Sequence, residues 1–367
     1  MLIFFIILWS VTALLVLRLI FFCGPFSKNV EDPPKGIIDM HCHTAGIGSG
    51  GSGALISNDL RNSWKFDVYL KTFGSSEDEV HDYGDHILVH KIVDSIRDSE
   101  YVDGAVLLAL DAPRDDNRDI IDEKMEHYVA NDVVAEQVKS YPELYFGASI
   151  HPNSPDSLNE LNWSKENGAA LVKWLPNIQE IDPSDERYIP YYKRLIDLDL
   201  PLLVHTGDEE SFTKTNDKLG DPVLLTLPLQ LGVKVIAAHV ASSGKSAGYE
   251  NIDRLLGMLE EFPNLVADIS SLTQVNKRKN LRKVITDKRL SGRLLYGTDY
   301  PLINTLLVTP LQYFMNLTFK QMWDIHRTKN PWDRDVKLKS ALGFLSLIHI
   351  SEPTRLRRIS YAVFCLK

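Results

Sequence analysis

Eight short runs of apolar, β-branched residues alternate with longer segments of helical periodicity, and this alternation constrains the fold more than any other feature of the chain. Strand–helix units repeated in this way build a parallel sheet. The eight runs are Gly36–His43, Gly104–Leu110, Leu144–Ile150, Ala170–Trp174, Pro201–His205, Lys234–His239, Leu265–Ile269 and Leu294–Asp299. Eight units in succession predict an α/β fold, the (β/α)8 TIM barrel.

Two of the intervening segments show helical periodicity clearly. The segment Asn251–Phe262 places four apolar side chains on one face: Ile252, Leu255, Leu256 and Leu259. The segment Asp122–Ser140 does the same with Met125, Val129, Val133 and Val138. Apolar residues at this spacing predict amphipathic helices.

Polar residues interrupt the apolar runs at their C-terminal ends. The first run ends in the string DMHCH, residues 39–43. The later runs bring His151 after the third, Lys173 in the fourth, and His205, His239 and Asp299 at the ends of the fifth, sixth and eighth. Because TIM-barrel enzymes keep their chemistry at the C-terminal ends of the strands, these residues predict an active site.

The residue types at these ends indicate a metal site. Residues i and i+2 of a strand face the same side, so His41 and His43 point into the barrel together, with Asp39 one step below. Imidazole and carboxylate ligands suit Zn²⁺, with Mn²⁺, Fe²⁺ or Co²⁺ as alternatives. A lone HxH pair also fits a core or loop position. The prediction therefore depends on the further ligand types that end the later strands in barrel order.

This order of ligands resembles that of the amidohydrolase superfamily, which has HxH on strand one, histidines on strands five and six, and an aspartate on strand eight. The strings IIDMHCH, LVKWLPN, LLVHTGDE and YGTDYP are most similar to the amidohydrolase-related (amidohydrolase-2) branch of TIM-barrel hydrolases and decarboxylases. The resemblance covers about Gly36 to Phe344. It implies a TIM barrel with a catalytic metal at the mouth.

Carried over residue by residue, the resemblance implies that one metal ion, Zn²⁺ in the first instance, is held by His41, His43, His205 and Asp299. Water would be the open ligand, activated as a nucleophile. Asp299 would take the proton during attack and pass it to the leaving group. His239 would be either a second-metal ligand or a group that orients the water and the developing oxyanion.

Lys173 distinguishes one metal from two. In binuclear members of the superfamily, a lysine on strand four is carboxylated and bridges two metals. The alternative is an ordinary cationic lysine that binds a substrate carboxylate or pairs with Asp39 or Asp208. We expect this alternative and one metal, because the branch is mostly mononuclear. Two metals, with Lys173 and His239 as additional ligands, remain open.

Several further residues are candidates for contact with substrate. Besides Lys173 these are His151, Asp111 and Tyr300, although His151 and Asp111 fit a structural role equally well. Trp174 and Asn177 are weaker candidates for lining the pocket. The remaining histidines of the first connection, His81, His86 and His90, are expected to be solvated.

The connection after the first strand, residues 44–103, is far longer than the usual βα loop of about 2–6 residues. It begins with a glycine- and serine-rich stretch, GSGGSG, which predicts a flexible lid over the barrel mouth. The stretch is not a nucleotide-binding P-loop, since no Gly-Lys-Ser/Thr follows it. Aromatic residues in the connection, Trp64, Phe66, Tyr69 and Phe73, would cap the site or form an oligomer contact.

The N-terminal residues 1–28 are predicted to be a membrane anchor. Residues 2–23 are almost wholly apolar, which is the length needed to cross a bilayer as a helix. A cleaved signal peptide is the alternative, but no basic residue precedes the apolar run and no small-residue cleavage site follows it. Arg18, Lys28 and Lys35 lie on its C-terminal side, so the positive-inside rule favours a cytoplasmic barrel.

The barrel domain is expected to span residues 29–344. The segments LSLIHISEPTR and ISYAVFCLK, within residues 345–367, look like in-frame translations of a sequencing adapter. We therefore interpret residues 345–367 as a non-native tail and assign no function to them. The three cysteines, Cys23, Cys42 and Cys365, provide no disulfide framework.

These observations predict a metal-dependent hydrolase that uses a metal-activated water on an ester, lactone or amide of a small molecule. The first alternative is a metal-dependent, non-oxidative decarboxylase of an aromatic or unsaturated carboxylic acid. An alternative from another class is a membrane-tethered barrel that binds a ligand without turnover. The formal net charge of −9 argues against a nucleic-acid partner, and assembly into a homo-oligomer is left open.

Overall fold

Eight parallel strands, which we label β1 to β8, form the centre of the fold in this computed structural model, which describes residues 2–27, 32–305 and 307–344. The strands are Ile37–His43, Val102–Leu108, Leu144–Ala148, Leu171–Trp174, Leu202–Val204, Val235–Ala237, Leu265–Asp268 and Leu294–Leu295. Each strand pairs with the next one along the chain in a single eight-stranded sheet. All eight predicted strands are confirmed, and the tail 345–367 lies outside the described residues.

Backbone hydrogen bonds between the first strand and the segment that follows β8 close the sheet into a barrel. The Met40 amide donates to the Tyr296 carbonyl at 3.0 Å, the Asp299 amide donates to the His41 carbonyl at 2.9 Å, and the His43 amide donates to the Tyr300 carbonyl at 3.0 Å. These bonds hold the two strand ends that carry predicted metal ligands side by side. The predicted TIM barrel is confirmed.

Apart from the N-terminal one, the helices surround the barrel and cover the outside of its strands. The helices of the described residues are Leu2–Phe21, Asn58–Arg61, Trp64–Thr72, Glu77–Tyr83, His86–Arg97, Asn131–Lys139, Ser157–Glu166, Pro176–Gln179, Ile189–Asp197, Thr226–Leu231, Asn251–Glu261, Arg278–Thr286, Phe319–Arg327 and Pro331–Leu342. The helix predicted from residue 251 is confirmed, and all four of its apolar residues are buried. Inside the barrel, a separate apolar layer that includes Ile38, Leu171 and Ile236 fills the centre.

The predicted helix Asp122–Ser140 is wrong in its first half. Residues His127–Tyr128 form a short strand that pairs antiparallel with Leu55–Ile56 of the first connection, and the helix begins only at Asn131. The periodicity of Met125 and Val129 is overridden because the chain gains backbone pairing with a segment distant in sequence. Local periodicity contains no information about such a pairing.

Asp39, a buried carboxylate below the predicted metal site, connects three segments of the barrel by hydrogen bonds. Asp39 accepts hydrogen bonds from the Thr298 amide at 3.0 Å, the Thr298 hydroxyl at 2.5 Å, the indole N–H of Trp332 at 2.9 Å and the His41 amide at 3.0 Å. These contacts join β1, the end of β8 and the last helix. Burial raises the pKa of Asp39 to about 6, although the hydrogen bonds oppose this shift.

The N-terminal helix Leu2–Phe21 stands apart from the barrel along most of its length, with its apolar side chains exposed. Its residues Phe4–Phe21 have a mean hydropathy of 2.5 and are long enough and apolar enough to cross a membrane. The chain after the helix joins the barrel through two backbone bonds, from Cys23 to the Met315 carbonyl at 2.9 Å and from Phe26 to the Leu342 carbonyl at 3.2 Å. Length and composition therefore make this helix a candidate membrane span.

Candidate metal centre

Two histidines of β1 and the aspartate after β8 converge at the C-terminal end of the barrel. His41 Nε2 lies 3.1 Å from His43 Nε2. Asp299 Oδ1 lies 3.5 Å from His41 Nε2 and 3.3 Å from His43 Nε2. These three ligand atoms lie within 4.8 Å of one another, so the described residues include a His/His/Asp group that can hold a metal ion.

Asp268, at the end of β7, is part of this centre and was missed by the sequence analysis. Its Oδ2 accepts a hydrogen bond from His41 Nδ1 at 2.8 Å, and its Oδ1 accepts one from the His239 amide at 2.9 Å. Because Nδ1 of His41 donates to this carboxylate, Nε2 of that ring carries the lone pair. The available signal was a carboxylate inside an otherwise apolar run, at a strand end facing the barrel.

His239 lies beside His41, with ring centroids 5.1 Å apart. Its Nδ1 is 2.7 Å from the Ser270 hydroxyl, which donates its own proton to Asp268 Oδ1, and 3.2 Å from the Ser270 carbonyl oxygen. Both Ser270 oxygens therefore accept from Nδ1, which carries the proton of the neutral ring and leaves the lone pair on Nε2. That atom lies 3.9 Å from Asp299 Oδ2, so His239 faces the same space as His41.

His205 completes the set of histidines. Its Nδ1 lies 3.3 Å from Glu209 Oε2, four residues further along the chain. Its Nε2 is buried and has no hydrogen-bond partner among the described residues. A buried nitrogen without a partner costs free energy of folding unless a bound ligand occupies its lone pair. Its ring lies 5.0 Å from that of His239 and belongs to the same pocket, although Nε2 of His205 is not in the compact group around Asp299.

Lys173 on β4 is fully buried, and its Nζ lies 3.1 Å from His41 Nε2. Burial lowers the pKa of Lys173 to about 8, although the carboxylates of Asp299 and Asp268 oppose this shift. The expected pairing with Asp39 or Asp208 is wrong: no ion pair in the described parts of the chain joins Lys173 to either. Asp39 is instead occupied by Thr298, Trp332 and the His41 amide.

Three residues of the site, each shortly after the end of a strand, adopt a backbone conformation that is unfavourable for residues other than glycine. His239, Ser271 and Asp299 have φ values of 58°, 58° and 60°. Such local strain persists where the surroundings enforce it, and it concentrates at functional sites. At Asp299 the conformation directs Oδ2 towards the Ser271 hydroxyl, which donates to it at 2.5 Å.

The protonation states favour metal binding. Burial lowers the pKa of His41 to about 4, lowers the pKa of His205, and lowers the pKa of His239 well below its ordinary value. All three rings are therefore neutral at pH 7. Burial alone would raise the pKa of Asp299, but the facing imidazoles and the hydrogen bond with His43 hold it well below its usual range. Neutral imidazole and ionised carboxylate are the forms that bind divalent metals.

A cavity of about 110 Å³ opens onto this centre. From the centre it is lined by His43, His205, Glu209 and Asp299, and beyond them by largely apolar residues that include Leu60, Tyr69, Phe73, Leu110, Leu175, Phe212, Tyr300 and Leu302. None of the described residues that line it is a lysine or an arginine. Among the predicted substrate-contacting residues, Tyr300 lies in this wall, stacked on Trp332 at 4.6 Å between ring centroids.

The first connection covers the cavity. The helix Trp64–Thr72 is bound to the loop after β5: Lys65 Nζ donates to the Phe212 carbonyl at 2.7 Å, and the Tyr69 hydroxyl donates to the Ser211 carbonyl at 2.9 Å. Because Tyr69 and Phe73 line the cavity, the geometry supports the capping alternative for these two aromatic residues. His127, on the short strand opposite Leu55–Ile56, also lines the cavity and was missed by the sequence analysis.

The glycine-rich start of this connection is held in place by one carboxylate. Asp85 accepts hydrogen bonds from the Ile47 amide at 3.0 Å, the Gly48 amide at 2.9 Å and the Ser52 hydroxyl. A Cβ at Gly46 would lie 2.3 Å from an Asp85 oxygen, so only glycine fits there. In the described conformation Asp85 therefore holds the start of the stretch in place, and its flexibility as a lid stays a prediction.

His151 and Asp111 lie away from the cavity wall, and the structure favours the structural alternative for both. His151 Nε2 lies 2.8 Å from the Gln179 carbonyl and its Nδ1 accepts from the Asn153 amide at 3.0 Å. Asp111 accepts from the His151 amide at 2.7 Å. Burial lowers the pKa of His151 to about 4. Both ring nitrogens of His151 are therefore committed to backbone.

The weaker candidates also have other roles. Trp174 packs against Tyr191 at 5.4 Å between ring centroids and does not line the cavity. Asn177 donates to the Gly207 carbonyl at 3.0 Å and orders the loop after β5. The three histidines of the first connection, His81, His86 and His90, are exposed, as expected.

The residues present fit a divalent metal. His41, His205 and His239 each have Nδ1 beside an oxygen, from Asp268, Glu209 and Ser270 respectively, and each is left with Nε2 towards the centre. Metal-binding histidines are oriented in this way by oxygens behind them. The strongest single indication is Nε2 of His205, a buried atom without a partner in the part of the chain that the structure describes.

Solved structures with the same fold agree with this architecture. An uncharacterized TIM-barrel protein from Bordetella bronchiseptica is 15% identical, with a TM-score of 0.53 over 88% of this chain and 99% of that one. A probable 2-pyrone-4,6-dicarboxylic acid hydrolase from Acinetobacter baumannii is 14% identical, with a TM-score of 0.53 over 88% and 98%. IDCase of Metarhizium anisopliae is 12% identical, with a TM-score of 0.50 over 91% and 99%. At these identities the similarity establishes the fold alone.

Comparison with known sequences identifies the family. No curated protein matches the chain. The family model described as Amidohydrolase, of the amidohydrolase-2 type, matches residues 38–317, from β1 to the segment beyond β8. The match includes every residue of the His/His/Asp group and the histidines after β5 and β6. This chain is therefore an enzyme of the amidohydrolase-2 family.

Proposed function

We propose that the chain is a metal-dependent hydrolase that cleaves an uncharged ester, lactone or amide bond in a small, largely apolar molecule. The observation that carries this proposal is the cavity wall: it presents the carboxylates of Glu209 and Asp299 beside apolar side chains, and no lysine or arginine among the described lining residues. Because Asp299 would offset part of the charge of a bound metal, a carboxylate substrate would find no cationic side chain among the described residues of this wall to pair with, at a cost in binding energy.

The centre would hold one divalent ion, zinc in the first instance, through His41, His43, His205 and Asp299. A metal bound there would lower the pKa of a water molecule and supply a nucleophile at neutral pH. Manganese is the alternative ion, and a second metal ion would need Lys173 and His239 as ligands. The contact of Lys173 Nζ with His41 Nε2 at 3.1 Å supports a role for the lysine beside the metal in either case.

Asp299 would transfer the proton of the attacking water to the leaving group. Ser271 fixes Oδ2 of Asp299, so Oδ1 faces the ligand nitrogens and the cavity. Oδ1 accepts the proton released during attack and returns it to the leaving group. His239 has its only ring proton directed at Ser270, so its Nε2 accepts rather than donates and orients the attacking water.

A second candidate reaction, non-oxidative decarboxylation, is favoured by Lys173. Its buried cation next to His41 could pair with a substrate carboxylate. Lys173 is not among the cavity-lining residues, however, and Glu209 and Asp299 are. We therefore rank decarboxylation second.

Matched substrates separate the two reactions. With the metal-loaded full chain, we expect kcat/KM for the neutral ester phenyl acetate to exceed that for its carboxylate-bearing counterpart para-acetoxybenzoate by about tenfold, which corresponds to about 1.4 kcal/mol. Both rates should fall to the uncatalysed level after chelation. Preference for the anionic ester would contradict the proposed substrate class, and carbon dioxide release from aryl carboxylates without ester cleavage would contradict hydrolysis.

We propose in addition that the helix Leu2–Phe21 anchors the enzyme in a membrane by a single span, with the barrel on the cytoplasmic side. The exposed apolar side chains of the helix and its hydropathy support the anchor. The position of Arg18 at the barrel end of the helix supports the orientation.

A further inference from the structure

Arg18 lies near the end of the apolar helix but turns its charge towards the barrel. The side chain is only 6% exposed. Its guanidinium donates to the Leu317 carbonyl at 2.7 Å and to the Phe314 carbonyl. It also stacks on the Phe319 ring, 4.0 Å from the centroid. These contacts attach the last turn of the helix to the segment that leads into the helix Phe319–Arg327.

The apolar surface continues past Arg18 on the barrel side. Leu19 is 83% exposed and Ile20 is 66% exposed. Both belong to the apolar stretch Phe4–Phe21, which is about 27 Å long at 1.5 Å per residue. A bilayer core is about 30 Å thick. When this stretch spans it, Leu19 and Ile20 lie in lipid, which brings the membrane boundary close to the barrel residues that hold Arg18.

The helix that begins at Phe319, the residue on which Arg18 stacks, presents aromatic side chains to the outside. In the helix Phe319–Arg327, Met322 and Ile325 face the core, while Phe319 is 54% exposed and Trp323 is 59% exposed. Trp323 lies one turn after Phe319, and the guanidinium of Arg327 lies 5.6 Å from its ring. Aromatic residues flanked by basic ones are typical of helices in the lipid–water interface.

We infer that this face, which consists of Phe319, Trp323 and Arg327, lies in the interfacial layer of the membrane that the N-terminal helix enters. The inference rests on the proposed membrane anchor and goes beyond it. An anchor alone would allow the barrel to rotate freely relative to the membrane. The Arg18 contacts and this face instead keep one side of the barrel against the lipid. The enzyme would then hold a constant orientation to the membrane.

Quenching by lipid nitroxides tests the orientation. The full chain carries Cys23→Ser and Cys365→Ser and a bimane label at Trp323→Cys. It is reconstituted in phosphatidylcholine vesicles that contain lipids with a nitroxide near the headgroup. The matched control label is at Leu158→Cys, 42% exposed on the helix between β3 and β4, which lies across the barrel from the last helices. We expect about twofold quenching at position 323 and none at position 158.

The other outcomes separate failure of the inference from failure of the anchor. Flotation with the vesicles and no quenching at position 323 would leave the anchor standing and overturn the orientation. Equal quenching at positions 323 and 158 would overturn it too, because the barrel would then have no preferred side. Protection of position 323 from aqueous iodide without quenching by lipid nitroxide would assign the face to a second copy of the chain. Absence of the protein from the floating vesicles would overturn the anchor and, with it, the orientation.

Discussion

Replacing Asp299 by asparagine is expected to lower kcat/KM for ester hydrolysis by about 10²–10⁴-fold. The amide nearly matches the carboxylate in shape and can still accept the hydrogen bond from Ser271. It cannot take up a proton, however, and it removes the negative charge that faces His41 and His43. The measurement is steady-state kinetics at saturating metal on the variant and the wild type.

The control for this variant is Asp82→Asn, which changes an exposed carboxylate of the first connection. Metal content measured on the same samples separates loss of proton transfer from loss of the ion, since Asp299 belongs to the ligand group. If the variant binds metal and keeps activity within about tenfold of the wild type, Asp299 does not move the proton and the proposed mechanism is wrong.

Asp268→Asn is expected to weaken metal affinity by about 10–100-fold, the range measured when the residue behind a metal-binding histidine is changed. Although burial opposes it, contacts with His41 and with Ser270 hold the pKa of Asp268 below its usual range, so the residue is ionised. Asparagine loses that charge and has an NH2 donor in place of one oxygen, so it cannot accept from His41 Nδ1 and from the His239 and Ser270 amides together. The measurement is competition for zinc against a chromogenic chelator.

The matched control is Asp253→Asn, a half-exposed carboxylate paired with Lys283 on the outside of the barrel. We expect its zinc affinity to equal that of the wild type. Circular dichroism on all three proteins shows whether the fold is retained. Unchanged affinity in a folded Asp268→Asn variant would show that His41 needs no carboxylate behind it, and it would remove the role that we assign to Asp268.

The strand ends of the site could be predicted from the sequence because a parallel barrel brings all its C-terminal strand ends to one face. That rule places His41, His43 and Asp299 on one face, the family resemblance implies their role as ligands, and the structure brings their ligand atoms together. The partners behind these ligands could not be predicted. Asp268 contacts a histidine far away in the chain, across the barrel interior, and the pattern within its own strand does not specify this contact.

Residues in the connections were predicted least well. His151 stands next to a strand end like the predicted metal ligands, but its nitrogens bond to Gln179 and Asn153. His127 was overlooked because the helix predicted there does not form. In both cases contacts between distant segments decide the conformation, and short-range periodicity does not encode them.

The cavity chemistry also depends on such contacts. Its wall is formed by the first connection and the loop after β5. Lys65 and Tyr69 of the connection donate hydrogen bonds to backbone carbonyls of that loop. The sequence showed that the connection is long and aromatic, which left capping and an oligomer contact as alternatives. Only the arrangement of the two loops shows that the wall is apolar, with carboxylates at its base.

Metal content tests the central claim most directly. Elemental analysis of the full chain, purified after growth with zinc and manganese, is made on the wild type, His41→Ala and the exposed control His81→Ala. We predict about one ion per chain in the wild type and in His81→Ala, and almost none in His41→Ala, because His41 Nε2 lies at the centre of the ligand group. A folded wild type without metal, or a His41→Ala variant that binds as much as the wild type, would contradict the account.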